Sequence, residues 1–426
     1  MNVRSVESLA PGERAALFER DAGVGDVREE VRDIVDRVAT EGDVALREFS
    51  EEFDGVAVGN IDVTDRAERA YDEIGDEVRD AIETAAENVR AFHERQVPED
   101  WLTDVDGTGR ELGRRFTPLD SVGVYAPGGT ATYPSSVLMC VVPAVVAGVE
   151  HVAVATPPAE QLSPVTLAAA YVAGADAVYQ VGGAQAVAAL AYGTETVRSV
   201  RKVVGPGNRW VTAAKAEVSE DVAIDFLAGP SEVLVVADAT AEPDAIAADL
   251  VAQAEHDPNA SVVAVTDDEA TATAVAEAVE SHATGRKRVD IIESALDNDA
   301  SGVFHARSMS EAVLFAEEHA PEHLSIQADD AESLLERIPS AGSAFLGRYS
   351  PVAAGDYATG TNHVLPTGGG ARTTGGLSVD SFVRSTTVQR LSEDALADLR
   401  ETVTTLADAE GLEAHAHSVD VRFDDE

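Results

Sequence analysis

The chain has 426 residues, 45 % of them hydrophobic, enough for more than one buried core. Its 77 acidic and 31 basic residues give a formal net charge of -46. That charge repels nucleic acid and anionic membranes, so neither is an expected partner. Residues 1–30 hold no apolar run of signal-peptide length, and no later stretch reaches the roughly 18 apolar residues of a membrane helix. A cytoplasmic location is therefore expected. The acidity points to a salt-rich cytoplasm, where ions screen self-repulsion; the fold should loosen at low salt and recover at high salt.

Residues 1 to about 110 carry charged amphipathic helical patterns, such as Val27–Ala39 and Asp76–Glu94. From Ser121 the texture changes to short Val/Ala runs. SVGVYA (121–126), HVAVA (151–155), AVYQV (177–181) and VLVVA (233–237) read as buried strands, and Ser136–Ala147, Pro164–Ala173 and Ala184–Tyr192 as helices between them. Such alternation predicts an α/β fold with a parallel sheet covered on both faces. A second α/β stretch follows, with helices at Asp244–Glu255, Glu269–Glu280 and Ser310–His319 and a strand at Ser261–Thr266. Pro321 is expected to end the third helix by forcing Ala320 into extended geometry. The Gly-rich Thr367–Gly376 segment reads as a mobile loop, Ser392–Ala409 as a helix, and Ser418–Phe423 as a strand-like tail.

Two Gly-rich turns follow predicted strands, Tyr125–Ala131 (YAPGGTA) and Val204–Arg209 (VGPGNR). Free backbone N–H groups at such turns hold pyrophosphate. Neither turn is a GxGxxG, and glycines also serve tight turns without a ligand; both readings stay open. No lysine-bearing phosphate loop occurs, which argues against nucleoside triphosphate chemistry.

Gln253 and His256, three residues apart, share one helix face. A helix-end histidine is also a favourable C-terminal cap. Asp356 lies in a Gly-interrupted loop (354–363) and His415 in GLEAHAH (411–417). Oxygen and imidazole donors suit zinc or manganese, although glutamine is an unusual ligand. Within APEHL (320–324), Glu322 and His323 form either an acid–base pair or an ordinary polar helix end. A metal with Glu and His describes a hydrolase equally well.

The segments VGVYAPGGTATYPSSVLM (122–139), GGAQAVAALAYGT (182–194), VGPGNRWVTAAK (204–215), DFLAGPSEV (225–233), AQAEHDPNA (252–260), APEHL (320–324), GDYATGTNHVLPTGG (355–369) and EGLEAHAHSV (410–419) resemble the histidinol dehydrogenase family in content and order. The resemblance implies two Rossmann-like domains with parallel sheets flanked by helices, plus small N- and C-terminal helical or tail segments. Residues 1–120 with 234–377 would carry the metal and catalytic groups, 121–233 would bind NAD, and 378–426 would reach a dimer-interface active site. It implies zinc on Gln253, His256, Asp356 and His415, and a catalytic pair of Glu322 and His323. Tyr125, Gln185 and Asn208 would contact NAD. Ser231, His363 and Glu410 would contact or orient the substrate beside the zinc ligands and catalytic pair. The implied assembly is a homodimer whose C-terminal segments complete each other's sites.

The implied reaction takes L-histidinol through the aldehyde to L-histidine with two NAD. His323 is expected to remove the hydroxyl proton, while zinc holds the substrate's imidazole and amino nitrogens. Many aldehyde oxidations use a thiolate. Here the one cysteine, Cys140, sits in an apolar run with no adjacent base, so water activated by Glu322 is the expected nucleophile.

Overall fold

The Val/Ala runs after residue 120 become strands because they are apolar on both faces. In the computed structural model, which describes residues 1–18, 20, 23–128 and 133–423, Val122–Tyr125 and Val152–Thr156 are buried at every position. With Ala177–Gln180, Lys202–Val204 and Ala223–Ile224 they form a five-stranded, wholly parallel sheet. Counted along the chain, its strands lie in the order 3-2-1-4-5, the doubly wound arrangement. Two crossover helices, Pro134–Ala147 and Pro164–Ala173, start on proline and stop at Gly148 and Gly174 in left-handed conformation.

A second parallel sheet is built from Glu232–Ala237, Ser261–Thr266, Gly302–His305, His323–Gln327 and Ser343–Leu346. It repeats the 3-2-1-4-5 order and adds Val3–Ser5 beside Gly302–His305.

The chain divides into two compact units. The first comprises Met1–Gln96 with Leu119–Phe382, and holds both parallel sheets; the second comprises Val97–Pro118 with Val383–Glu426. This departs from the grouping of 1–120 with 234–377 in two respects. Helices Val24–Glu41 and Asp43–Phe53 bury Val27, Val31, Val35, Val38, Leu46 and Phe49 in one core with Ala153 and Ala155 of the first sheet and Leu190 of the helix Gly183–Tyr192. Only the extreme N-terminal residues, such as Val6 and Leu17, join the second sheet's core. Residues 97–118 leave the N-terminal segment because Arg110–Pro118 pairs antiparallel with Val383–Leu391 along its whole length, and Trp101–Asp104 adds a third strand.

Three local expectations are corrected. The C-terminal tail is helical over Glu413–Asp420: no strand offers it a partner, Ala416 is buried, and Arg400 binds Asp420 at 2.7 Å across to the Glu393–Ala409 helix. Ala320 is left-handed rather than extended (φ 48°, ψ 65°), because its N–H closes the Met309–His319 helix on the Ala316 carbonyl. Among the described residues it is the one non-glycine with positive φ, which costs about 1–2 kcal/mol and lies two residues before Glu322. The Gly-rich 367–376 segment is anchored at its start: Thr367 Oγ1 accepts from Gly229 N (2.6 Å), and Gly368 N donates to Glu232 (2.7 Å).

Asp249, on the Pro243–Ala254 helix, provides a test of burial energetics. Burial without a counter-charge raises its carboxyl to about 6. The folded state therefore holds the proton more tightly than the unfolded chain, whose value is near 3.9. Stability from this group is present below about pH 4 and is lost as pH rises through about 6. Asp249→Asn should stabilise the protein by about 1–2 kcal/mol at pH 8 and not at pH 4. Denaturant titrations at the two pH values check this; equal changes at both would contradict it.

Candidate active site

Ligands of doubly wound sheets settle where the first and fourth strands diverge at their carboxyl ends. In the first sheet those ends are Tyr125 and Val204, which run into the two Gly-rich turns. Gly129, Thr130 and Ala131 of the first turn lie outside the described residues. In the second turn Gly205 has φ 111°, and a Cβ there would collide with the Tyr125 carbonyl, so only glycine fits. A buried pair holds that turn: Asp225 accepts from Gly205 N at 2.8 Å, and Lys215, 2.7 Å from Asp225, donates to the Gly205 carbonyl.

A cavity of about 730 Å³ opens here, lined by Tyr125, Gln185 and Asn208 among others. All three sequence-predicted cofactor contacts thus meet on one surface. Asn208 caps the Arg209–Val218 helix through Oδ1, accepting from Trp210 N (3.0 Å) and Val211 N (3.2 Å), which leaves its NH₂ for a ligand. The Tyr125 hydroxyl accepts from Gly183 N (3.1 Å) at the start of the helix that carries buried Gln185. Burial pushes the Tyr125 hydroxyl up to about 12, so it stays protonated.

A larger cavity, about 1150 Å³, is lined by Ser231, His256, Glu322, His323, Asp356 and His363. Tyr125, Pro127, Gly128, Asn208 and Trp210 line both cavities, so the two adjoin. Gln253 does not reach the cavity wall. It is buried in the same turn as His256, whose N–H donates to the Gln253 carbonyl at 3.2 Å; its amide nitrogen has no partner among the described residues. Glu410 and His415 belong to the second unit, where both are exposed.

The placement of Glu322 and His323 is set by strand register. His323 lies opposite Val233, which places Glu322 beside Glu232 on the neighbouring strand, at the amino edge of the second sheet. The two glutamates serve each other's backbone: Glu232 N donates to Glu322 Oε2 (2.8 Å) and Glu322 N to Glu232 Oε2 (3.3 Å). His323 Nδ1 donates to the Glu232 carbonyl (2.9 Å), because a carbonyl can only accept. That tautomer leaves Nε2 as the basic nitrogen, and Nε2 lies 3.6 Å from Asp356 Oδ1. His363 has both ring nitrogens engaged, Nδ1 with the Asp356 carbonyl (2.8 Å) and Nε2 with Ser136 Oγ (3.0 Å), and so fixes the backbone that carries Asp356.

Burial sets much of the electrostatics. It raises the Glu322 carboxyl and lowers the imidazoles of His256 and His363, which favours their neutral forms. Burial also works against a proton on His323, but the Glu322 charge, then the Asp356 carboxylate 3.6 Å from Nε2, overcome it and raise its value. For Asp356 burial is again opposed by His323, and the carboxyl ends below its ordinary range. The Cys140 thiol is driven up by burial alone in the main, and stays a thiol.

Two residues of this site escape sequence reading. Glu232 heads a strand that is otherwise apolar and buried throughout; a charge there is a signal in itself. Arg20 pairs with it at 2.6 Å, both side chains being under a tenth exposed, and also donates to the His319 carbonyl (2.9 Å). Nothing around Arg20 in the sequence marks it.

Residues 19–423 match the family model described as histidinol dehydrogenase. The chain is 75 % identical over 424 residues to histidinol dehydrogenase of Haloarcula marismortui, with all of both chains covered. It is 48 % identical over 427 residues to that of Methanosarcina mazei, covering 99 % and 98 % of the two. The crystal structure of histidinol dehydrogenase from Elizabethkingia anophelis is similar at a TM-score of 0.92 and 37 % identity, covering 97 % of this chain and 96 % of that one. With its twin doubly wound sheets and the Glu322–His323 pair in place, this chain belongs to the histidinol dehydrogenase family.

Proposed function

We propose that the protein oxidises L-histidinol through L-histidinaldehyde to L-histidine, using two NAD and one zinc ion per subunit. The observation that carries this is that the two cavities adjoin, sharing Tyr125, Pro127, Gly128, Asn208 and Trp210 as lining. A dinucleotide at the switch point then reaches the space where Glu322 and His323 stand, which a metal-assisted hydrolase has no use for.

The zinc donors are Gln253, His256 and Asp356 with His415. Among the described residues no three His, Cys, Asp or Glu side chains converge as a metal group, so the set depends on an amide and on a ligand from elsewhere. The chain fits that demand: Gln253 is buried in the same turn as His256, and burial favours neutral His256, as ligation requires. Exposed Glu410 and His415 suit delivery to a second copy in a homodimer. The second unit's apolar surface agrees, with Trp101 50 % and Leu406 58 % exposed.

When bound, NAD accepts a hydride in each oxidation and zinc fixes the substrate's nitrogens. In its neutral form His323 takes the proton from the alcohol hydroxyl on Nε2 as the carbon gives up its first hydride, and its raised affinity makes it a strong acceptor once its own proton has left. Glu322 then removes a proton from water as the oxygen adds to the aldehyde carbon, and the resulting hydrate anion loses the second hydride to leave the acid. Ser231, with Glu410 of a second copy, orients the substrate; His363 holds Asp356 in place. A cytoplasmic site of action goes with this reading, and no helix among the described residues is long and apolar enough to cross a membrane.

Because Cys140 is buried and protonated, Cys140→Ser should leave both oxidations within about threefold of the parent when histidinol and histidinaldehyde are assayed separately. Loss of the aldehyde step alone would overturn the water route.

A further inference from the structure

The cavity at the first sheet's switch point has an uneven charge. Of the described residues that line it, Glu52 and Asp54 are charged and none is lysine or arginine. Asp54 follows the Asp43–Phe53 helix, its N–H bonded to the Ser50 carbonyl (3.2 Å). Its Oδ2 is buried and has no hydrogen-bond partner among the described residues. A buried, unmatched acceptor on a cavity wall is costly unless a ligand supplies the donor.

The position of this acceptor says which donor. In doubly wound sheets an acidic residue near the end of the second strand accepts the 2′-hydroxyl of the adenosine ribose. Here that strand ends Thr156-Pro157-Pro158-Ala159, with no acid among these four, and the next residue, Glu160, is exposed and does not line the cavity. The four line the same cavity as Asp54, and the prolines with Ile34, Phe53 and Leu162 give the wall apolar area for a base.

We propose that Asp54 takes the place of the missing strand-tip acid: it accepts the adenosine ribose 2′-hydroxyl of NAD and excludes a 2′-phosphate, making the site selective for NAD over NADP. The inference rests on NAD occupying this cavity. The same carboxylate facing a phosphate would meet like charge, with no cation among the described residues of the wall to offset it. Burial holds the Asp54 carboxyl near 6, so at pH 8 it is an anion without donors until the ligand arrives.

The test is calorimetric titration of the full-length protein with NAD, NADP and 2′-deoxyadenosine NAD at pH 8, without substrate. The parent should bind NADP and the deoxy analogue at least about tenfold more weakly than NAD, the scale of one hydrogen bond to a charged group. Asp54→Asn should tighten NADP in absolute terms and narrow the gap to NAD; Asp54→Ala should abolish discrimination against the deoxy analogue. Equal binding of NAD and NADP by the parent, or parallel changes for all three ligands in both variants, would overturn the proposal. Gln185→Ala separates the two levels. If it weakens NAD while the Asp54 variants discriminate as the parent does, the role of Asp54 alone is refuted. If it leaves NAD untouched, the placement of NAD in this cavity falls, and the role of Asp54 with it.

Discussion

His323→Asn is expected to slow both hydride-yielding steps by about 10²–10⁴-fold, whereas Glu322→Gln should do so mainly for aldehyde oxidation. The asymmetry follows from geometry. His323 donates through Nδ1 to the Glu232 carbonyl, so Nε2 alone is left to work as a base, and asparagine offers no nitrogen that can take a proton there. Glu322 is buried on the neighbouring register position, with burial raising its proton affinity towards the value a base needs near neutrality. Glutamine keeps an oxygen for the Glu232 N–H, so Glu322→Gln removes the base without orphaning that donor. Stopped-flow traces begun from histidinol and from histidinaldehyde separate the steps. Equal, small effects of the two substitutions would discredit the assignment.

The second large effect lies away from the reacting atoms. Arg20 and Glu232 form a buried pair in which Glu232 also accepts from Gly368 N and Glu322 N. Arg20→Ala strands a carboxylate beside Glu322 and should cost about 3–5 kcal/mol, the penalty of an uncompensated buried charge. Arg20→Met combined with Glu232→Gln should recover most of that loss, because neither buried charge remains. Urea melts of the parent, the single and the double variant measure it. A single-variant cost below about 1 kcal/mol, or no recovery in the double variant, would show that the pair does not hold the strand edges together.

What the sequence disclosed followed from which interactions are local. Val122–Tyr125 and Val152–Thr156 are apolar at each position because both faces are covered, and such runs are legible on their own. Strand order is not, since it depends on partners far along the chain. Val3–Ser5 has three residues and no apolar run, and forms a strand only because Gly302–His305 presents an open edge. The amphipathic pattern at Val27–Ala39 is the helix Val24–Glu41, but an apolar stripe does not say which sheet it covers. Ala320 shows a competition the local rule misses: closing the helix on Ala316 outweighs the preference of a residue before proline.

The site was legible where chemistry clusters in short motifs. Glu322 and His323 are adjacent in sequence and come together on the cavity wall. Tyr125, Gln185 and Asn208 are scattered, yet Tyr125 ends a strand and the other two follow strands at the carboxyl edge of the first sheet, and they meet. Arg20, Glu232 and Asp54 were hidden because their importance comes from long-range burial, and burial of a single polar side chain leaves no periodic trace.

The most direct test of the central claim counts reduced cofactor. Limiting histidinol with excess NAD should yield two NADH per histidinol consumed, with histidine as the product. Chelation should abolish the signal and zinc restore it. One NADH per histidinol with free aldehyde released, or turnover without NAD, would contradict the account.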